Sequence, residues 1–367
     1  MTTDAGDRNF DHEFLTLHEF VDAARDRLDD NGWDYLVGGT ETETTLKRNR
    51  AALDAVALRP RVLVDVSELD ATTSFLGRDV RLPVMLAPVG GLETFDPEGA
   101  VAVARAARDG GVAIMSSSVS PCPKPDVRAA AGDSPAVFQL YVRGFGRFIE
   151  DEVEAAIEAG FDAFAFTVDT AVYSRRERDI VKRFDKPWRA FVNAESVRAQ
   201  AALSWKDIER IRKAYDIPLM LKGIGTAEDA KMAVDHGINA VYVSNHGGRQ
   251  LDHGLGSAAV LHQVAQAVGD QTQVIMDGGI SRGTDVIKAM ALGADMVGIG
   301  RLYCYALTVG GSAGVVRALE ILENEIHSAM GLIGVSRLAD LTPDHLAHGA
   351  PLMDDPGVHS AFPLTRV

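Results

Sequence analysis

The segment SNHGGRQLD, residues 244–252, sets His246 and Arg249 three positions apart with two glycines between them. It follows the apolar run AVYV, so a base and a fixed cation stand at the end of one buried strand. An imidazole takes up a proton near neutral pH, and a guanidinium fork suits a carboxylate or a phosphate. Together they suit proton removal from an anionic substrate. Other strand ends carry polar residues too. They are Pro88, Val89 and Gly90; Ser116 and Ser117; Gln139 and Tyr141; Thr167 and Asp169; Lys222; Ser244 and Asn245; Asp277, Gly278 and Gly279; Gly300 and Arg301. Any one of these could be a turn or capping residue. As a set, at the ends of apolar strands, they read as a site.

Eight short apolar runs hold these residues. They are LPVMLAPVG (82–90), VAIMSS (112–117), AVFQLYV (136–142), AFAFTVD (163–169), PLMLKG (218–223), AVYVSN (240–245), QVIMDGG (273–279) and ADMVGIG (294–300). Helical patterns such as EGAVAVARAARDG and GTDVIKAMALGA lie between them, several ending in Gly. Continuous apolar strands alternating with helices predict a parallel sheet covered on both faces. Eight units, with no GxGxxG after the first strand, favour a closed (β/α)8 TIM barrel over a doubly wound open sheet. In such a barrel the strand C-termini form the active site. The glycine-rich loops DGGISRGTD and GIGRLY, after strands 7 and 8, have the form of a phosphate site, with Arg301 as a partner.

The expected organisation is an N-terminal helical segment over 1–80, the barrel over 81–347, and a tail over 348–367. Thr16 to Glu19 in TLHEF reads as a capping box opening a helix through Leu28. A second helix is expected over TETTLKRNRAALDAV, and GSAGVVRALEILENEIHSAMG has the period of a last barrel helix. Strands 4 and 5 are joined by a long connection. Its first part, RRERDIVKRFDKPWR (175–189), has seven basic residues in fifteen. Either it is a solvated helix or subunit contact, or it is a rim over an anionic ligand.

The net charge of −15 argues against nucleic acid and anionic membranes as partners. Cys122 and Cys304 have no metal-ligand spacing, so free thiols and no metal are expected. The polar start, and the lack of an apolar stretch of bilayer length, point to a cytoplasmic protein.

SNHGGRQLD, with DGGISRGTD downstream and FQLYV and TVDT upstream, resembles the FMN-dependent α-hydroxy acid oxidase and dehydrogenase family. The resemblance runs from about residue 12 to about residue 347. It implies a (β/α)8 barrel with FMN at the strand ends, often as a tetramer. It implies His246 as base and Asp169 as the carboxylate that orients it. Arg249 and Arg176 would hold the substrate carboxylate, and Tyr35 and Tyr141 would reach the substrate. Lys222 would stand beside the flavin, where positive charge stabilises the reduced anionic ring. Ser116, Gln139 and Thr167 would hydrogen-bond the flavin beside Pro88, Val89, Gly90 and Ser244. Asp277, Gly278, Gly279, Arg282, Gly300 and Arg301 would hold the ribityl chain and phosphate. The implied reaction takes an L-2-hydroxy acid to its 2-oxo acid. Whether the proton leaves carbon or oxygen stays open.

Three departures bear on the substrate. Ser118 stands where the glycolate oxidase pattern has tryptophan, Val89-Gly90 replaces a frequent Thr-Ala, and Ser281 replaces a basic residue, leaving Arg282 to the phosphate. Loss of an indole predicts a larger or wetter pocket and a substrate larger than glycolate. Gly90 is expected to leave room beside the flavin, which keeps the acceptor open. Dioxygen comes first. A quinone or protein acceptor, as in a dehydrogenase, comes second, and a decarboxylating monooxygenase remains an alternative. A phosphate-binding isomerase barrel would not need two carboxylate-binding arginines with a His–Asp pair, and a silent flavin binder would not need that pair.

Overall fold

A computed structural model describes residues 10–184, 192–349, 361, 362, 364 and 365. Eight parallel strands close into a barrel: β1 (Val84–Leu86), β2 (Ala113–Ser117), β3 (Ala136–Leu140), β4 (Ala163–Thr167), β5 (Leu219–Ile224), β6 (Ala240–Val243), β7 (Gln273–Met276) and β8 (Met296–Ile299). β8 pairs with β1, which removes any sheet edge. Seven strands lie inside runs expected from the sequence, and β5 extends one residue beyond its run, to Ile224. Side chains alternate along the strands. Met85, Met115, Met220, Tyr242 and Met296 point inward, and Ile114, Phe138, Phe164 and Leu221 pack outward against the helices.

A hairpin, Thr73–Phe75 with Arg78–Val80, closes the floor of the barrel. Phe75 and Val80 join the interior cluster of Met85, Met115 and Met220. The hairpin turns at Leu76 (φ 49°) and Gly77 (φ 77°), the positive-φ pair of a tight two-residue connection.

The N-terminal segment supplies α1 (Leu17–Arg27), α2 (Asp30–Val37) and α3 (Thr44–Asp54). The Thr16–Glu19 capping box is present at α1. The sequence reading missed α2, whose apolar positions are too few to show a period over eight residues. α3 is capped from a distance. Asp252 accepts from Thr42 and Thr45, and these bonds, against the opposing effect of burial, hold its carboxyl at about 2.

In the β4–β5 connection, α4 (Ala194–Ala202) follows a short helix at Glu177–Val181. Arg178 pairs with Glu43 and Asp34, and Lys182 pairs with Asp34. These basic residues therefore tie the connection to α2 and α3. Lys186 and Arg189 of the expected basic stretch lie outside the described residues.

The barrel continues through α5 (Gly283–Ala291) to α6 (Arg301–Ile333). By length and composition α6 is long and apolar enough to cross a membrane, contrary to the sequence expectation. Most of its apolar window is buried in the protein. Its backbone breaks at Gly310 and Gly311 (φ 56°, ψ −142°), so it is two helices in series, packed on α1, α5 and the helix Gly99–Gly110.

Candidate active site

The strand C-termini open into a cavity of about 390 Å³. β6 ends beneath it in an abrupt turn. His246 (φ 59°), Gly247 (φ 63°) and Gly248 (φ 78°) are consecutive left-handed residues. Such a run is costly for residues with a Cβ and is built here largely of glycine. At Gly248 a Cβ would meet the Leu46 backbone at 2.5 Å, so α3 can approach only because the residue is glycine. The turn aims His246 back over the barrel while Arg249 faces the same cavity.

His246 is held from both sides. Its Nδ1 lies 2.8 Å from Asp169 Oδ2, and its Nε2 lies 2.8 Å from the Tyr141 hydroxyl. A carboxylate can only accept, so Nδ1 carries the proton and Nε2 is the basic nitrogen. Burial lowers the imidazole below its ordinary 6.5, opposed by Asp169 and reinforced by Lys222. The ring is thus neutral near pH 7. Asp169 fits because β5 bulges at Gly223 (φ 111°), where a Cβ would meet the Asp169 carboxyl at 2.6 Å.

Arg176, Arg249 and Arg301 line the cavity together. Burial, then the neighbouring Arg176 and Arg301, push Arg249 down to about 9. Burial likewise lowers Arg301. Neither Arg249 nor Arg301 has a carboxylate ion-pair partner among the described residues. Arg249 donates to the carbonyls of Tyr35 (2.5 Å) and Leu36 (3.2 Å), and its guanidinium lies 5.0 Å from the Tyr35 ring centroid. Arg301 donates to the carbonyls of Leu36, Gly38 and Gly247. A guanidinium has five N–H bonds, so each keeps donors for a ligand. Clustered, partly buried cations call for an anion.

Most of the predicted residues converge on this space. Tyr35, Pro88, Val89, Gly90 and Tyr141 line it, with Tyr35 donating to the Gly90 carbonyl at 2.6 Å. Lys222, Asp277, Gly278, Gly279 and Gly300 also line it. Ser244 sits behind, accepting from Lys222 Nζ at 2.8 Å and donating to Asp277 at 2.6 Å. Gln139 and Thr167 bond each other inside the barrel, and Gln139 Oε1 is buried with no partner among the described residues.

Several expectations are corrected. Ser116 is opposite Phe138 in the ladder, and by period two it faces the outer helices rather than the cavity. Arg282 is drawn away by Glu325 (2.6 Å) and by the Ala361 carbonyl, and Ser281 lines the cavity instead. Ser118 does not itself line the cavity, and its Oγ accepts from the Tyr141 N–H. Gly90 leaves no void, since a Cβ there would meet a Val119 methyl at 2.4 Å. Val119, Thr170, Tyr173 and Gln200 line the cavity unforeseen. They lie in loops and on α4, where strand periodicity gives no signal.

Comparison with known proteins follows the same lines. Residues 24–348 match the family model described as FMN-dependent dehydrogenase. Glycolate oxidase 5 of Oryza sativa subsp. japonica is 38% identical over 354 residues, covering 91% of this chain and 96% of that protein. L-lactate oxidase of Nostoc sp. is 38% identical over 359 residues, covering 90% and 98%. A crystal structure of mandelate oxidase superposes with a TM-score of 0.86 at 38% identity, covering 93% of this chain and all of that one.

The residues fit FMN. The phosphate needs donors and positive charge, and the Gly278–Gly279 loop, Arg301 and the N-terminus of α6 supply them. The ring needs a cation and polar partners; Lys222 lines the cavity, and the unpartnered Gln139 Oε1 lies inside the barrel near the end of β3. With its sequence matched over most of its length and a site suited to the cofactor, the chain belongs to the FMN-dependent dehydrogenase family, among the α-hydroxy acid oxidases.

Proposed function

We propose that this enzyme oxidises an L-2-hydroxy acid larger than glycolate to the 2-oxo acid, with His246 as base and dioxygen as final electron acceptor. The observation that carries the reading is His246, held between Asp169 and Tyr141 and facing the same cavity as Arg249 and Arg176. The two guanidiniums would take the substrate carboxylate, which also relieves their mutual repulsion. Tyr141 would pass its hydrogen bond from His246 to the substrate hydroxyl. Nε2 would then take the substrate proton, and Asp169 would stabilise the imidazolium that results. FMN supplies the two-electron acceptor when bound. Apolar Val119, Phe95 and Val172 in the wall support a side chain larger than hydrogen. The glycolate, lactate and mandelate oxidases to which the chain is similar support dioxygen.

The test is anaerobic mixing of the holoenzyme with S- and R-2-hydroxy acids, aliphatic and aromatic. Rapid bleaching of the flavin by a bulky S-acid, with little by glycolate, is expected. Recovery of the colour on admitting air marks an oxidase. Slow recovery that a quinone accelerates would replace dioxygen with another acceptor. Comparable kcat/KM for glycolate and a bulky acid would contradict the size preference.

A further inference from the structure

The connection between β4 and β5 builds one wall of the cavity, and that wall is not saturated with hydrogen bonds. Gln200, on α4, and Thr170, next to Asp169, both line the cavity at 6% and 3% exposure. Gln200 Nε2 donates to the Thr170 carbonyl, which fixes which way the amide points. Gln200 Oε1 and Thr170 Oγ1 are left buried with no partner among the described residues. Leaving a buried polar atom unpaired is costly, so two on one cavity wall point to a ligand that satisfies them. The wall is also held in place. Asn193 caps α4 through reciprocal bonds with Ser196, and Ser196 in turn bonds the Tyr173 hydroxyl.

The chemistry of the wall narrows the ligand. Gln200 Oε1 is an acceptor only, so it disfavours a carboxylate. Arg143 lines the same cavity, so it disfavours an ammonium. A neutral hydroxyl meets both conditions. It can donate to Gln200 Oε1 and accept from Thr170 Oγ1. We infer that Gln200 and Thr170 form a subsite for a second, neutral hydroxyl on the substrate side chain, so that the preferred 2-hydroxy acids carry an alcohol or a phenol beyond the reacting carbon. This rests on the proposed oxidation of a 2-hydroxy acid.

The test uses matched pairs on the holoenzyme: 2,4-dihydroxybutanoate against 2-hydroxybutanoate, and 4-hydroxyphenyllactate against phenyllactate. Anaerobic flavin reduction gives kcat/KM for each. Equilibrium binding of the two corresponding aromatic 2-oxo acids, read from the flavin spectrum, measures recognition without turnover. In at least one pair the hydroxylated member should be favoured by about 10-fold or more, the value of one hydrogen bond of about 1.4 kcal/mol. In Gln200→Leu and Thr170→Val that ratio should fall toward one. Taken within each protein, the ratio cancels any general loss of activity or folding. Equal kcat/KM within both pairs in the wild type would overturn the subsite. So would a ratio that survives both substitutions, or stronger preference for a 2-hydroxy dicarboxylate. If no 2-hydroxy acid bleaches the flavin, the reaction reading fails, and the 2-oxo acid pair still decides the subsite: tighter binding of the hydroxylated member supports it and equal binding overturns it.

Discussion

The floor and the mouth of the barrel are built from the same eight strands and do opposite work. At the floor, Phe75 and Val80 of the hairpin seal an interior of Met85, Met115, Met220 and Ile275. One or two inward positions further along the same strands stand Gln139, Thr167, Lys222, Ser244 and Asp277. The floor is apolar, closed and self-sufficient. At the mouth, clustered guanidiniums and unpartnered acceptors await other groups. Stability is therefore concentrated at one end and chemistry at the other, so substitutions at the two ends should separate.

The largest expected effect is at the mouth. Asp169→Asn leaves the shape but removes the anion that fixes the His246 tautomer, and flavin reduction should slow by about 10³-fold with little change in Tm. The converse is Phe75→Ala. Removing a fully buried ring should cost about 3–5 kcal/mol in denaturant unfolding while leaving kcat within about twofold. Loss of activity without loss of stability at Phe75 would break the separation. Arg249→Lys keeps a charge but loses the fork, so KM should rise by about 30-fold, roughly 2 kcal/mol, with a smaller change in kcat. The smallest effect is in pH. His246 must be neutral to act, and burial places its folded pKa below 6.5. The kcat/KM profile should therefore have an acid limb with a midpoint below 6.5, falling about tenfold per unit beneath it. Asp169 raises that pKa, so Asp169→Asn should move the limb further down. The same depression means the unfolded chain binds the proton more tightly, so the contribution of His246 to stability shrinks as pH falls through 6.5.

The sequence was most informative where one period governed. All eight strands were legible from apolar runs, and their ends brought His246, Arg249, Lys222, Asp277 and Tyr141 into one list. Ser116 misled because the strand end alone does not say which of two adjacent serines points inward. Arg282 misled because its ion-pair partner, Glu325, is 43 positions away on α6. Gly90 read as a gap because the methyl that fills it belongs to Val119, in another loop. Gln200 and Thr170 were invisible for a related reason. What singles them out is a missing partner, which appears only once the chain is folded.

The most direct test of the central claim is anaerobic flavin reduction by one good 2-hydroxy acid in wild type and His246→Ala. The variant is expected to stay yellow, bind the 2-oxo acid, and be reduced about 10⁴-fold more slowly. Reduction at the wild-type rate would show that His246 is not the base.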